Sequence, residues 1–269
     1  MQYLDTFFEK LWQQYTAITP QALAIHELLN QHETTLVNDH VAFRTFANSP
    51  YSISQLEPEL FKLGFKAFDN YQFDKKKLLA RSYIHKDSPT KIFLSEILWQ
   101  ELPAGSQIII RKIIEDNSGD KAFPKKPISL SSGRLWSMPS YVDYLALLKD
   151  SEYAAWLSVW GLRANHFTIY VNYLRQYTHL ESVIELLQQH QYLLNEEGGV
   201  IKGTPQDFLI QASTMADKQL VKFPNGSEQL IASCYYEFAQ RFEQPNGDIY
   251  QGFVPSSADK IFESTNSNK

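Results

Sequence analysis

Two histidines, one arginine and one glutamate lie in three stretches that otherwise resemble buried strands. They are His40 and Arg44 in NDHVAFRTF, His166 in RANHFTIYV, and Glu237 in SCYYEFAQRF. Side chains alternate along a strand, so His40 and Arg44 share one face of the first stretch. In all three stretches the opposite face is mostly apolar and can pack against helices. The polar face would therefore line an interior cavity.

The residue types on this face indicate metal chemistry. Two histidines and one carboxylate, with further positions left open, are the ligand set of non-haem Fe(II) oxygenases. A buried carboxylate without a partner is costly, so Glu237 requires a cation, which is either a metal or Arg44. The alternative interpretation is that His40 and His166 are hydrogen-bonded core residues without a metal.

Arg44 is a candidate ligand for the far end of a substrate. The rise of a strand puts its backbone about 13 Å from that of His40. A small dicarboxylate could chelate the metal at one end and be bound by the arginine at the other. The alternative is that Arg44 pairs with a structural carboxylate such as Asp39 or Glu96.

Other polar residues are weaker candidates. Tyr170 and Tyr235 either orient a substrate or pack in the core with a tethered hydroxyl. Glu96 is an alternative metal ligand or one half of an ion pair. A metal-independent hydrolase would need Ser233 beside the histidine of RANHFTIYV, and no nucleophile motif of the GxSxG type supports it.

The elements around these residues follow the order strand, helix, strand, strand, strand, twice along the chain. The repeat predicts an α+β fold in which two paired βαβββ units form curved sheets around a central metal cavity. The chain is predicted to be a single domain, 1–269, with the following parts: N-terminal helices 1–33, a first unit at about 38–100, a loop at 116–133, a middle helical segment 135–161, a second unit at about 164–243 and a closing segment 244–269.

Composition restricts the partners and the compartment. The net charge is −5 and lysines and arginines are scattered, which argues against nucleic acid. No apolar run approaches the length of a membrane span. The single cysteine, Cys234, suits a reducing compartment, and no signal peptide is predicted, so we expect a cytoplasmic protein. The sequence leaves the oligomeric state open.

Several motifs resemble one known family. DHVAFRTF, WSMPSYVDY, NHFTIYV, CYYEFAQRF and GFVPSSADKIFEST are similar to stretches of the 2-oxoadipate dioxygenase/decarboxylase family, whose fold resembles the vicinal-oxygen-chelate superfamily. The resemblance covers most of the chain from about 38 to 264. It implies the following roles: Fe(II) ligands His40, His166 and Glu237; Arg44 on the distal carboxylate of the substrate; and further substrate contacts from the backbone near Ser256 and Ser257 in the closing segment.

The resemblance also implies a reaction. A 2-oxo acid and dioxygen would give CO2 and a 2-hydroxy acid that is one carbon shorter. For 2-oxoadipate the product is 2-hydroxyglutarate, on a route of lysine degradation. This chain resembles a short member of the family, which leaves the identity of the 2-oxo acid open. The alternatives are another vicinal-oxygen-chelate metalloenzyme (a ring-cleaving dioxygenase, lyase or isomerase) and a module that only binds a small acid.

Overall fold

The structure, a computed structural model, describes residues 2–116 and 128–266. Most of the predicted loop at 116–133 falls outside these residues. The strands in the described ranges are β1 (Asn38–Phe46), β2 (Phe65–Phe73), β3 (Leu78–His85), β4 (Ser88–Ile97), β5 (Ala164–Tyr170), β6 (Leu209–Ser213), β7 (Lys218–Lys222), β8 (Glu228–Ala232) and β9 (Tyr235–Arg241). The α-helices there are α1 (Gln2–Thr16), α2 (Pro20–Asn30), α3 (Ile53–Lys62), α4 (Ala104–Asp116), α5 (Tyr141–Asp150), α6 (Glu152–Trp160), α7 (Leu180–Gln189) and α8 (Pro255–Ile261).

One curved sheet joins the two repeated units in the order β2-β3-β4-β1-β5-β9-β6. Within each unit the first strand lies parallel to the last one, β1 beside β4 and β5 beside β9. The units meet where β1 runs antiparallel to β5. The predicted α+β fold of two repeated units is confirmed. The two curved sheets are continuous, because pairing β1 with β5 satisfies the backbone groups at the edge of each unit.

The second unit departs from the repeat after α7. The segment after α7 was expected to form the second strand of this unit, but it makes only isolated bridges. Lys202 pairs with Gln211 in β6, and Leu194 pairs with Thr214 just after β6. Gly198 and Gly199 interrupt this segment with φ angles of 65° and 100°, which a regular strand does not contain. Strands β7 and β8 form a separate hairpin.

The N-terminal helices cover the side of the sheet that faces away from the histidines. In α1, Leu11 and Tyr15 are fully buried. The ring of Tyr15 lies 5.0 Å from that of Phe167, which alternates with His166 along β5. The Tyr15 hydroxyl donates to the backbone oxygen of Tyr235 at 2.5 Å. The apolar spacing of the first sixteen residues therefore serves to bury the back of β5 and β9.

The middle helical segment consists of two helices that are divided at Ser151. The Ser151 hydroxyl accepts a hydrogen bond from Ala154 N at 3.2 Å and caps α6. Helix α6 is buried from Tyr153 to Trp160 and packs against the end of β1. The Tyr153 hydroxyl accepts from Thr45 N at 2.9 Å. Helix α6 thus closes the end of the sheet at which Arg44 lies.

The C-terminal residues run back over the sheet. Phe253 lies against His40 with 4.8 Å between ring centroids. After α8, a 3-10 helix, Phe262–Thr265, buries Ser264 and Thr265. Among residues 2–116 and 128–266, no helix combines the length and apolar character that crossing a bilayer requires.

The turn from α6 into β5 depends on Gly161, and its substitution by alanine should destabilise the fold. Gly161 has φ 72°, and a Cβ there would overlap the backbone of Arg134 and lie 2.6 Å from Gly133 C. We expect Gly161→Ala to lower the free energy of unfolding by about 2–4 kcal/mol, measured by urea denaturation. Gly105→Ala in α4, where a Cβ meets no atom within 4 Å, is the control and should change it by less than about 1 kcal/mol. An equal effect of both substitutions would contradict the steric argument.

Candidate metal centre

The pairing of β1 with β5 brings the two predicted histidines together. In the register of these strands, His40 lies opposite Thr168 and Ala42 lies opposite His166. Paired residues share a face of the sheet, so both imidazoles project from the same side. Their Nε2 atoms are 3.3 Å apart.

Glu237 enters the same group from β9. It lies opposite Thr168 in the parallel register of β5 and β9. Its Oε1 is 3.6 Å from Nε2 of His40, and its Oε2 is 3.2 Å from Nε2 of His166. The potential ligand atoms of the three residues lie within 4.8 Å of one another. The structure therefore brings together the three side chains predicted as metal ligands, and none of them is more than 4% exposed.

Each histidine is oriented by the residue that precedes it. Asp39 Oδ1 lies 2.8 Å from Nδ1 of His40, and Asn165 Oδ1 lies 3.2 Å from Nδ1 of His166. Both partners are acceptors, which places the ring proton on Nδ1 and the lone pair on Nε2. Burial lowers the pKa of His40 and lowers that of His166 further. Both rings are therefore neutral, the form that binds metals, and the Thr168 hydroxyl lies 3.1 Å from Nε2 of His40.

The carboxyl of Glu237 has one strong partner. Gln211 Nε2 donates to Oε1 at 2.6 Å, whereas Oε2 has no hydrogen-bond partner among the described residues. Burial raises the pKa of Glu237 to about 8, although the bond from Gln211 lowers it. A fully buried carboxylate oxygen without a donor is stabilised when a cation binds it.

These observations fit a divalent metal. Two neutral imidazole nitrogens and one carboxylate oxygen converge on a single point, and their other polar atoms are held by protein groups. Such a mixed nitrogen and oxygen set with three protein ligands suits Fe(II), and also Mn, Zn or Ni. The donor atoms thus define a candidate metal centre.

Asp39 is tied to a buried arginine that the sequence analysis did not identify. Arg241 donates from Nε to Oδ2 of Asp39 at 2.5 Å and from Nη2 to Oδ1 at 2.9 Å. Its Nη1 donates to the backbone oxygens of Tyr250 and Gly252 at 2.9 and 2.7 Å. Burial alone would raise the pKa of Asp39, but Arg241 holds it well below its ordinary value. The ionised carboxylate can therefore keep the ring of His40 in place.

Arg44 is buried but pairs with a residue that was not expected. Its Nη1 donates to Glu152 Oε1 at 2.8 Å, and its Nη2 donates to Thr265 Oγ1 at 2.9 Å. The alternative that Arg44 pairs with a structural carboxylate is confirmed by Glu152, whereas the two examples named for it, Asp39 and Glu96, are bound elsewhere. The predicted contact of Arg44 with a substrate stays a prediction.

Tyr235 and Tyr170 lie in different surroundings. The ring of Tyr235 stacks on that of His166 with centroids 4.5 Å apart, and its buried hydroxyl has no hydrogen-bond partner among the described residues. Burial raises the pKa of Tyr235 well above its ordinary value, so the hydroxyl remains a donor. Tyr170 instead lies over the ammonium of Lys91 at 5.4 Å. Of the two tyrosines, Tyr235 is the one with a free hydroxyl beside the metal ligands.

The two predicted serines lie in α8. Ser256 is exposed, and Ser257 is buried with its backbone N–H donated to Val254 O at 3.0 Å. Their predicted substrate contacts stay predictions. Phe253, just before this helix, is the residue of the segment that packs on His40.

Glu96 faces away from the metal ligands. It lies opposite Thr45 in the register of β1 and β4, on the other face from His40, and it accepts from Ile53 N at 2.8 Å. The alternative role of Glu96 as a ligand is therefore wrong. In the second unit, Glu237 lies two residues after Tyr235, the residue opposite His166. The corresponding residue of the first unit is Phe93, two residues after Lys91, which lies opposite His40.

Neither Ser233 nor Cys234 is placed as the nucleophile of a hydrolase. The Ser233 hydroxyl donates to Ile18 O at 2.6 Å. Cys234 is buried, and burial raises the pKa of its thiol to about 12, so the thiolate is not formed near neutral pH.

The sequence analysis missed Gln211 and Arg241, although alternation could have found both. Arg241 lies four residues after Glu237 on the same face of β9. Gln211 lies opposite Ala239 on β6, which places it on that face as well. Glu152 carries no such signal, because it comes from a helix.

Comparisons with known proteins agree with this geometry. The sequence model of the 2-oxoadipate dioxygenase/decarboxylase family matches residues 7–245. The chloroplastic/amyloplastic 2-oxoadipate dioxygenase/decarboxylase of Oryza sativa subsp. japonica is 32% identical over 295 residues, which cover 98% of this chain and 80% of the relative.

Two solved structures are also similar. Hydroxyglutarate synthase from Oryza sativa in complex with 2-oxoadipate is 31% identical, with a TM-score of 0.92 over 100% of this chain and 95% of that chain. A protein from Shewanella frigidimarina NCIMB 400, provisionally named a hydrolase, is 39% identical, with a TM-score of 0.86 over 94% of this chain and 98% of that chain.

Replacing Glu237 tests the metal centre. We expect Glu237→Gln to weaken binding of Fe(II) or Mn(II) by at least about 100-fold, because even groups that only orient a metal ligand contribute 10- to 100-fold. The free energy of unfolding in chelator should not fall, since the change removes a buried unpaired carboxylate oxygen. Metal content by mass spectrometry and urea denaturation measure the two effects. Glu96→Gln on the opposite face is the control for metal content, and a Glu237→Gln protein with unaltered metal affinity would refute the assignment.

Proposed function

We propose that this chain, which belongs to the 2-oxoadipate dioxygenase/decarboxylase family, converts 2-oxoadipate and dioxygen to 2-hydroxyglutarate and CO2 with Fe(II) as cofactor. One observation carries the proposal: the buried group of His40, His166 and Glu237 shares a face of the sheet with Arg44. A metal site and a buried cation on one interior face suit a substrate with a carboxylate at each end.

Iron would supply neighbouring open positions at which the 2-oxo acid and dioxygen bind side by side. His40, His166 and Glu237 would hold it, with the two rings fixed by Asp39 and Asn165. The reaction balances without an external reductant. The first carboxylate leaves as CO2, the second carbon becomes the new carboxylate, and the neighbouring carbon gains a hydroxyl.

Arg44 would bind the distal carboxylate. Glu152 raises its pKa despite the opposing effect of burial, so the guanidinium stays charged. Its Nε has no hydrogen-bond partner among the described residues. The free hydroxyl of Tyr235, which interacts electrostatically with Glu237 and Arg44, would contact the substrate between the two ends. Ser256 and Ser257 would contribute contacts from the closing segment.

Enclosure of the site supports an oxygenase. Four side chains, His40, Arg44, His166 and Glu237, are each 4% exposed or less. Phe253 covers His40 and Phe262 lies over Arg44. Excluding bulk water in this way protects reactive species from side reactions and strengthens the contacts of Arg44.

The setting in the cell is part of the same proposal. The free, buried Cys234 suits a reducing cytoplasm. A reaction that consumes 2-oxoadipate would place the enzyme on a route of lysine degradation, as the resemblance to the family implies.

Oxygen uptake tests the proposal directly. Protein that is purified without oxygen and loaded with Fe(II) should consume dioxygen when 2-oxoadipate is added. It should release CO2 and 2-hydroxyglutarate, identified by mass, in a ratio of about one to one, because the substrate supplies all the electrons. The same protein with the metal removed by a chelator is the control. Bound iron without oxygen uptake on 2-oxoadipate, or on its shorter and longer homologues, would contradict the proposal.

Arg44→Lys tests the role of the arginine. Lysine keeps the charge but loses the planar fork, so KM for 2-oxoadipate should rise roughly tenfold or more with a smaller change in kcat. The monocarboxylate 2-oxohexanoate lacks the distal carboxylate, and its KM should not change. Steady-state oxygen consumption gives both values. Equal KM changes for the two acids would exclude a contact between Arg44 and the distal carboxylate.

A further inference from the structure

The guanidinium of Arg44 is held through its two terminal nitrogens. Glu152 binds Nη1 at 2.8 Å and Thr265 binds Nη2 at 2.9 Å. The rings of Tyr153 and Trp156 lie 5.0 and 5.1 Å from its central carbon. The group is 1% exposed, so these contacts fix both its plane and its rotation.

The other edge of the guanidinium has no hydrogen-bond partner at Nε among the described residues, and this nitrogen is buried. Nε and Nη2 form the edge that binds a carboxylate side-on, and Nη2 still has a second proton beyond the one given to Thr265. An unsatisfied buried N–H on a charged guanidinium marks a place for an anionic group.

Glu152 and Thr265 reach Arg44 from parts of the chain that are far from β1. Glu152 begins α6, directly after the capping residue Ser151. Thr265 ends the 3-10 helix, which is fastened where Ser264 accepts from Ala216 N at 2.8 Å and from Asn195 Nδ2 at 2.8 Å. Both partners are thus anchored by bonds that do not involve Arg44.

Glu152 also faces the outside of the protein. Its side chain is 19% exposed and lines an open cavity of about 590 Å³ together with Lys75, Lys76, Lys77 and Lys149. The carboxylate therefore lies between this cavity and the guanidinium. A substrate carboxylate and Glu152 would bind different edges of the same arginine.

We propose that Glu152 and Thr265 are positioning residues that set the preference of the enzyme for 2-oxo acids with a distal carboxylate, by holding Arg44 with its Nε edge toward the substrate. This inference rests on the proposed function, because the distal carboxylate is the group that Arg44 would bind. A free arginine side chain samples many rotamers, and fixing it beforehand removes that entropy cost from substrate binding. Geometry rather than the charge of Glu152 carries the effect, because its negative charge opposes binding of a second anion.

The test compares two replacements of Glu152. Glu152→Leu removes the acceptor and should raise KM for 2-oxoadipate roughly tenfold, with a smaller effect on kcat. Glu152→Gln keeps an acceptor oxygen and should stay within about threefold of the wild-type KM. Neither variant should alter KM for 2-oxohexanoate. Glu181→Leu, which replaces an acidic residue in the first turn of α7, is the matched control and should behave as wild type.

Thr265→Val gives a second test that preserves side-chain shape, should Glu152→Leu not fold. It removes one hydroxyl and should raise KM for 2-oxoadipate about three- to tenfold. Anaerobic titration calorimetry with 2-oxoadipate and 2-oxohexanoate provides a readout that does not need turnover. Only affinity for the dicarboxylate should fall.

The outcomes separate this inference from the proposed function. Wild-type protein that consumes no oxygen with 2-oxoadipate overturns the proposed function. Active wild-type protein together with Glu152→Leu and Thr265→Val variants of unchanged KM overturns the positioning role alone. Equal KM increases for the dicarboxylate and the monocarboxylate also overturn it, because they indicate general damage to the site.

Discussion

The antiparallel pairing of β1 with β5 is the contact on which the site depends. It joins the two repeated units into one sheet and fixes the register in which His40 faces Thr168 and Ala42 faces His166. A shift of one residue would turn one histidine to the helical side, because side chains alternate with a period of two. The backbone hydrogen bonds of this pairing therefore decide whether the metal ligands meet. Helices α1 and α6 then bury the joined sheet around them.

Ion pairs in the core hold the side chains around the site in place, and they leave one carboxyl, that of Glu237, without a cation. Asp39 is paired with Arg241, and Glu152 is paired with Arg44, so each pair is close to neutral. Buried ion pairs add little stability in themselves, but they hold side chains in one orientation. Glu237 is the exception, because its buried carboxyl has an amide partner and a second oxygen with none among the described residues. A metal would supply the missing positive charge.

The two units carry different functional residues at equivalent positions of their strands. Both contribute a histidine at the same place in the register. The second unit has Glu237 where the first has Phe93, and the first has Arg44 where the second has Tyr170. Metal ligation and the predicted substrate contact therefore lie at different ends of one interior face. If the two units were identical, each would carry both the metal-binding carboxylate and the arginine.

The polar interior face and the residues on it could be predicted from the sequence, because alternation along a strand is a local property. His40, His166, Glu237 and the repeated units followed from it, and Gln211 could have been added by the same rule. The partner of each buried charge is set by the packing of distant segments and could not be predicted in this way. Arg44 pairs with Glu152 and Thr265 across 108 and 221 residues of sequence. Such contacts depend on how α6 and the C-terminal segment pack onto the sheet, and no short-range pattern encodes that packing.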